Sequence, residues 1–300
     1  MWSREANIQS WQTWLGEDLG TDRARPAPRR CQHTLTSVPT STYVDIMVIE
    51  KMVDVGGHEI CAQILGSGPT VVLDGGGAGQ GLGTWGPVPE RLADFATVVT
   101  YDRAGVGRSG GTQARSVAEQ ADALRRMLRG LELRLPAVFV GWSYGGLVTQ
   151  VYAARHPDDV AGLVFVDPTA AGTPPGSALV RSLSFDVAAW LLRARAALGG
   201  RNARALRELA VTLGGMQDAM AEAKSTREEY GLPPVPIRVI AAGKRPRMPR
   251  AQLDHLTADH EALAGRSPQG RVLVAEHASH QVPYEQPETI VETVREVLAG

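Results

Sequence analysis

The chain is short of several things. It has two cysteines in 300 residues, Cys31 and Cys61, and these make neither a disulfide framework nor a metal-ligand pattern. A reducing, cytoplasmic setting is the expectation that follows. No stretch approaches the roughly eighteen consecutive apolar residues of a membrane span, so no transmembrane helix is expected. The formal net charge is −1, which argues against a nucleic-acid partner and against a membrane surface held by overall charge. Histidines and carboxylates do not recur at ligand spacing, so no metal is expected. The glycine-rich run Asp74-Gly75-Gly76-Gly77-Ala78-Gly79 lacks the Gly-Lys-Ser/Thr of a phosphate loop and fits no dinucleotide fingerprint, so no cofactor is expected. No internal repeat is present.

What is there is an alternation. Residues 51–55 and 60–65 read as two strands joined at Gly56-Gly57, a hairpin signal. Further strands follow at 70–73, 97–101, 137–140, 163–166, 237–241 and 271–275. Helices are read at 88–95, 115–129, 146–155 and 287–298. Strands alternating with helices predict an α/β fold, a mostly parallel eight-stranded sheet with helices on both faces. Between Pro168 and Pro236 the alternation stops. Three helices with no strand between them, at 178–198, 203–213 and 216–230, are separated by Gly199-Gly200 and Gly214-Gly215. The organisation read from this is an N-terminal extension over 1–45, a core formed by 46–168 and 236–300, and a helical insertion over 169–235. The extension is read as mobile from its composition. No apolar core follows Arg29-Arg30, so a secretory or twin-arginine signal is not expected.

The chain is organised around Gly141-Trp142-Ser143-Tyr144-Gly145, which sits between an apolar β-rich run and a helix-compatible run. Gly-X-Ser-X-Gly in that context is the spacing of a nucleophile elbow. A strand that turns at once into a helix strains the corner residue, and glycines two before and two after let the elements pass closely. The turn pushes the Ser143 hydroxyl out at the C-terminal edge of the sheet and aims a helix N-terminus at it.

This stretch resembles the α/β-hydrolase family, and the resemblance covers residues 50 to 300. It implies an α/β-hydrolase fold with a helical cap inserted before the penultimate strand. In that family's order the base comes last, and Ala278-Ser279-His280 followed by Pro283 and a helix is similar to the closing motif. His280 is the expected base, with His277 exposed or supporting, and His156-Pro157 resembles the structural end of the helix after the elbow. Many members carry the acid after the strand at 237–241, but Gly243-Lys244-Arg245-Pro246-Arg247 offers no carboxylate. Other members carry it one strand earlier, where Asp167 stands before Pro168. Asp167 is therefore the expected acid, and Asp254 and Asp259 stand in reserve should the chain after Arg247 fold back. Asp102, in a loop that resembles a structural loop of the family, and Glu276 are weaker candidates.

An oxyanion needs two N–H donors. The residue after the nucleophile, Tyr144, is one. The other is expected from Gly76, with Gly77 close behind, in the loop that replaces the family's His-Gly pair with Asp74-Gly75. Trp142 is expected to pack beneath the elbow. In the insertion, Leu179, Leu183, Phe185, Trp190, Leu191, Met216 and Met220 are candidates either to line a substrate pocket or to pack the cap on itself.

The resemblance implies a serine hydrolase acting on an ester or thioester of a small, partly apolar substrate through an acyl-serine. A serine at this position argues against dehalogenase or epoxide-hydrolase chemistry, which uses a carboxylate there. The same site could instead serve acyl transfer, lyase or carbon–carbon cleavage. Another possibility is a non-catalytic member that binds a small molecule.

Overall fold

A computed structural model describes residues 47–77, 83–173, 175–200, 202–245 and 248–300. The extension over 1–45 lies outside them.

Eight strands form one sheet: β1 (Val48–Asp54), β2 (Glu59–Leu65), β3 (Thr70–Asp74), β4 (Thr97–Tyr101), β5 (Ala137–Trp142), β6 (Val160–Val166), β7 (Ile237–Ala242) and β8 (Arg271–Ala275). Their order is β1-β2-β4-β3-β5-β6-β7-β8. Only β2 runs against its neighbours, pairing antiparallel with both β1 and β4. Every other pairing is parallel. The central strands are apolar on both faces, as a sheet covered on both sides requires, and all six residues of β5 are buried.

The helices are α1 (Val88–Leu92), α2 (Val117–Gly130), α3 (Gly145–Arg155), α4 (Ala178–Ala197), α5 (Ala203–Gly214), α6 (Met216–Tyr230), α7 (Arg250–Ala264), α8 (Val282–Glu285) and α9 (Pro287–Ala299). Two apolar layers result. One packs β5 and β6 against α2 and α3, with Phe139, Leu147, Val151 and Phe165 at its centre. The other packs the opposite face against α1 and α9 through Leu92, Val140, Ile290 and Val294.

The insertion between β6 and β7 is three helices, as the glycine pairs predict. Helices α4 and α5 form a hairpin with its own small core of Ala189, Leu192, Ala196, Leu209 and Leu213. Polar contacts bind the insertion to the core. Glu222 of α6 accepts the Val117 N–H at 2.8 Å and the Ser116 hydroxyl at 2.7 Å, placing a carboxylate on the N-terminus of α2. Arg227 of α6 pairs with Asp259 of α7 at 2.9 Å, both buried.

Candidate active site

The serine stands where strand becomes helix. Ser143 has φ +54°, a left-handed conformation that a non-glycine residue adopts only when its surroundings impose it. The imposition is visible. The Ser143 N–H still bonds to the Val166 carbonyl at 3.0 Å as though β5 continued, while the Gly146 N–H already bonds back to the Ser143 carbonyl at 3.0 Å as helix. The flanking glycines are needed for space. A Cβ at Gly141 would lie 2.7 Å from Thr149 Oγ1, and one at Gly145 would run into the carbonyl oxygens of Asp74 and Gly75. Gly145→Ala should therefore destabilise the fold by about 1–3 kcal/mol, because the obstructing atoms are backbone. Thermal denaturation checks this, and an unchanged midpoint would show that the loop yields freely.

One strand over, Asp167 occupies the matching corner with φ +39°, and its N–H bonds to the Ile240 carbonyl of β7 at 2.6 Å. His280 reaches both residues from the segment after β8. Its Nε2 lies 2.9 Å from Ser143 Oγ and its Nδ1 2.6 Å from Asp167 Oδ2. Asp167 is buried, and its second oxygen, Oδ1, accepts the Ala242 N–H at 3.0 Å and meets Arg245 Nη2 at 2.8 Å. Burial alone would raise the pKa of this carboxyl. The hydrogen bond and charge of His280, the Arg245 guanidinium and the Ala242 N–H outweigh burial and lower it to about 2. The last residue of β7 thus supplies the N–H, and the loop after it, which carries no carboxylate, supplies the cation, that hold Asp167 at the end of β6. Arg245 was visible in the sequence only as part of a basic run.

The reserve acids are engaged elsewhere. Asp254 is exposed and pairs with Arg250 on its own helix, and Asp259 is buried against Arg227 and the Ala171 N–H. His277 is exposed, Glu276 likewise, and His156 ends α3 with its ring edge-on to Tyr152 at 5.2 Å. Asp102 accepts the Arg108 N–H at 2.7 Å within its own turn.

The glycine loop after β3 lies against the elbow. The Cβ position of Gly76 is 3.6 Å from Ser143 Cβ, and that of Gly77 is 3.4 Å from Tyr144 Cβ. A residue read as part of a structural loop grips this region. Arg103 Nη1 donates to Asp74 Oδ1 at 2.5 Å and to the Gly75 carbonyl at 2.8 Å, while Nη2 donates to the Gly76 carbonyl at 2.6 Å. The same guanidinium lies over the Tyr144 ring, 5.2 Å from its centroid, so one planar cation touches both segments expected to donate to an oxyanion. The Tyr144 hydroxyl accepts from Gln120 Nε2 at 2.9 Å.

A family model described as "Alpha/beta hydrolase family" matches residues 75–293, which run from this loop past His280. The chain belongs to the alpha/beta hydrolase family. Among its relatives, protein YqjL of Bacillus subtilis is 24% identical over 226 residues, covering 75% of this chain and 81% of that protein. The pimeloyl-[acyl-carrier protein] methyl ester esterase of Chromobacterium violaceum is 40% identical over 104 residues, or 35% of this chain and 39% of that one. Of solved structures, the enol-lactonase of Burkholderia xenovorans LB400 superposes with a TM-score of 0.63 at 20% identity, over 83% of this chain and 100% of that one.

In this alpha/beta hydrolase the elbow tryptophan does more than pack. Trp142 is buried against Trp85, and its indole N–H donates to the His280 carbonyl at 2.9 Å, strapping the histidine segment to β5. On the acid side, buried His260 of α7 donates from Nε2 to the Pro168 carbonyl at 3.1 Å, one residue beyond Asp167. Burial pushes the His260 pKa below its ordinary value, so the folded state favours the neutral ring while the unfolded chain takes up a proton first. That contribution to stability is intact above about pH 6.5 and fades as the pH falls below it. His260→Gln should accordingly flatten the decline in thermal midpoint between neutral and mildly acid pH, relative to the unmodified protein.

Of the insertion's apolar residues, the side chain of Leu179 lies outside the described residues, three others follow the packing alternative and three follow neither alternative. Met220 is buried in the main core, and Phe185 and Met216 pack against the α4–α5 core. Leu183, Trp190 and Leu191 are exposed on the outer side of α4. Helix α5 faces the site instead, with Thr212 against Gly77 and Glu208 Oε1 accepting the Gly107 N–H at 3.2 Å. A cavity of about 470 Å³ is lined by His58, Tyr101, Arg103, Gln120 and Arg126 among others. Ser143 is not in its lining. Arg103 and Gln120, both in contact with Tyr144, stand between the two.

Proposed function

We propose that this protein is a serine hydrolase that cleaves an ester or thioester of a small, partly apolar substrate through an acyl-serine. The observation that carries the reading is the continuous hydrogen-bonded line from Ser143 Oγ through His280 to Asp167, at 2.9 and 2.6 Å, with the serine on a strained corner. In this reading His280 Nε2 takes the hydroxyl proton as Ser143 attacks the acyl carbon, and the carbonyl π pair moves onto oxygen. Asp167, kept ionised by its partners, holds Nδ1–H and stabilises the imidazolium. The oxyanion is received by the N–H groups of Tyr144 and of Gly76 or Gly77. Collapse expels the alkoxide or thiolate, which takes its proton from His280. Water then repeats the sequence on the acyl-serine, releasing the acid and restoring the serine.

Helices over 169–235 act as a cap in this reading, with α5 on the oxyanion loop. The esterase of Chromobacterium violaceum acts on a methyl ester, which supports ester chemistry for the leading substrate class. Arg103 is a positioning residue, since it touches the oxyanion loop and Tyr144 rather than the reacting atoms.

A fluorophosphonate probe tests the proposal. Labelling that maps to Ser143 by mass spectrometry, and that is absent in Ser143→Ala, is expected. A folded protein that does not label, or that labels elsewhere, would overturn it. Panels of matched esters and thioesters then separate the two substrate classes.

A further inference from the structure

The outer face of α4 carries an unusual load. Leu183 is 64% exposed, Val187 45%, Trp190 64%, Leu191 52%, and Leu198, just past the helix end, 81%. At 100° per residue these positions, with exposed Ala194, fall within one stripe. The stripe is opposite the face of α4 that Ala189 and Leu192 bury against α5. It is therefore not a badly packed interior edge. It is a second apolar face, pointing away from the protein.

The charges around it are mostly positive, with exposed Asp186 the one acid at its edge among the described residues of the helix. Over residues 178–213 there are six arginines and no lysine against two acids, Asp186 and Glu208, a local balance of +4 within a chain whose total is −1. The overall charge that argued against a membrane surface conceals this asymmetry. Arg193 and Arg195, both exposed, lie roughly 80° to one side of Leu183 and 120° to the other on the helical wheel. Arg204 and Arg207 are exposed on the adjoining α5. An apolar stripe that includes a tryptophan, with an arginine on each flank outnumbering the single acid Asp186, is what an interfacial helix presents to lipid. The aliphatic side chains enter the acyl boundary, the indole sits at the headgroup level, and the guanidinium groups reach the phosphates. The arginine flanks make an anionic surface the complementary one.

We infer that the outer face of α4 docks this protein on an anionic phospholipid bilayer, laying the cap flat on the membrane with the helix parallel to its plane. The attachment is peripheral, and no helix among the described residues is long and apolar enough to span a membrane. The inference does not depend on the ester-hydrolysis reading, because its readout is binding and needs no turnover.

Co-sedimentation of the full chain with vesicles tests it. The protein should pellet with mixed phosphatidylcholine–phosphatidylglycerol vesicles roughly tenfold more readily than with phosphatidylcholine alone, and less so at high salt. Trp190→Gln combined with Leu191→Gln should abolish pelleting with both. Arg193→Glu combined with Arg195→Glu should erase the preference for the anionic vesicles. All of these side chains are exposed, so the thermal midpoints of both variants should match that of the parent, which separates lost docking from lost fold. The inference is overturned if the parent stays in the supernatant with anionic vesicles. It is also overturned if Trp190→Gln/Leu191→Gln pellets as before. A parent that runs as a dimer and ignores vesicles, while that variant runs as a monomer, would assign the stripe to a second copy of the chain and likewise overturn it.

Discussion

Asp167→Asn should lower kcat by about 10⁴-fold while leaving the protein folded. The size of the effect follows from the two sides of this carboxylate. Oδ1 accepts from the Ala242 N–H and from Arg245, so an amide at this position must turn its oxygen toward those two donors. Its NH₂ then faces His280 Nδ1, where Oδ2 now lies at 2.6 Å. The imidazole can satisfy a donor there only by placing its own proton on Nε2, aimed at Ser143 Oγ, and in that tautomer it cannot act as a base. The fold should survive because asparagine tolerates the φ of +39° at this corner as well as aspartate does. Steady-state kinetics on a small ester, together with the rate of fluorophosphonate labelling, measure the loss. A folded variant with near-normal turnover would remove Asp167 from the mechanism. The same carboxyl leaves a second trace. Its pKa is held at about 2, against an ordinary 3.8, so its contribution to stability is complete above pH 3.8 and disappears as the pH falls toward 2. The variant should lack that part of the acid unfolding curve.

Replacing Arg103 is the second large effect, and it has two separable parts. Arg103→Met strands Asp74, whose burial already raises its pKa and whose partner of opposite charge is the lost guanidinium. Breaking a buried pair in this way costs about 3–5 kcal/mol. Adding Asp74→Asn removes the stranded charge, so the double variant should recover most of the lost thermal midpoint. Turnover should not recover with it. The carbonyls of Gly75 and Gly76 still lack the donors at 2.8 and 2.6 Å that orient the glycine loop, and the Tyr144 ring still lacks its cation. We expect kcat to remain about 10²–10³-fold down with KM little changed, the signature of a misplaced oxyanion donor. Arg103→Lys should not rescue, because one ammonium cannot bridge both carbonyls and the carboxylate from a fixed plane. If the double variant regained full activity together with stability, Arg103 would be a structural ion-pair partner and nothing more.

Much of this arrangement was legible in the residues. The elbow was readable because strand, strained corner and helix must follow one another within a few positions, and that leaves a local signature around Ser143. The eight strands were readable because strands buried on both faces are continuous apolar runs. His280 and Asp167 were legible only through the order of elements, since 113 residues separate them and no local pattern joins them. The helix Arg250–Ala264 leaves little apolar pattern in the sequence, because its buried side is narrow and includes Asp259 and His260. Arg103 was passed over because its partners are backbone carbonyls 27 and 28 residues away, and such contacts leave no spacing to read. The insertion's apolar residues were the least legible. Hydrophobicity marks Leu183, Trp190 and Leu191 in the same way whether they face a pocket, a core or the outside, and only the packing of α4 on α5 separates these cases.

Ser143 and Asp167, the proposed nucleophile and acid, each stand one residue beyond paired strands, where Trp142 is in register with Val166. Two of the three members are thus bolted to the same plate, and their separation can change only if the middle of the sheet gives way. His280 alone lies off the sheet, on a segment held by the Trp142 indole N–H, by the bonds of Ser279 to Glu285, by the Lys244 N–H on the Ala278 carbonyl and by the His277 N–H on Gln286.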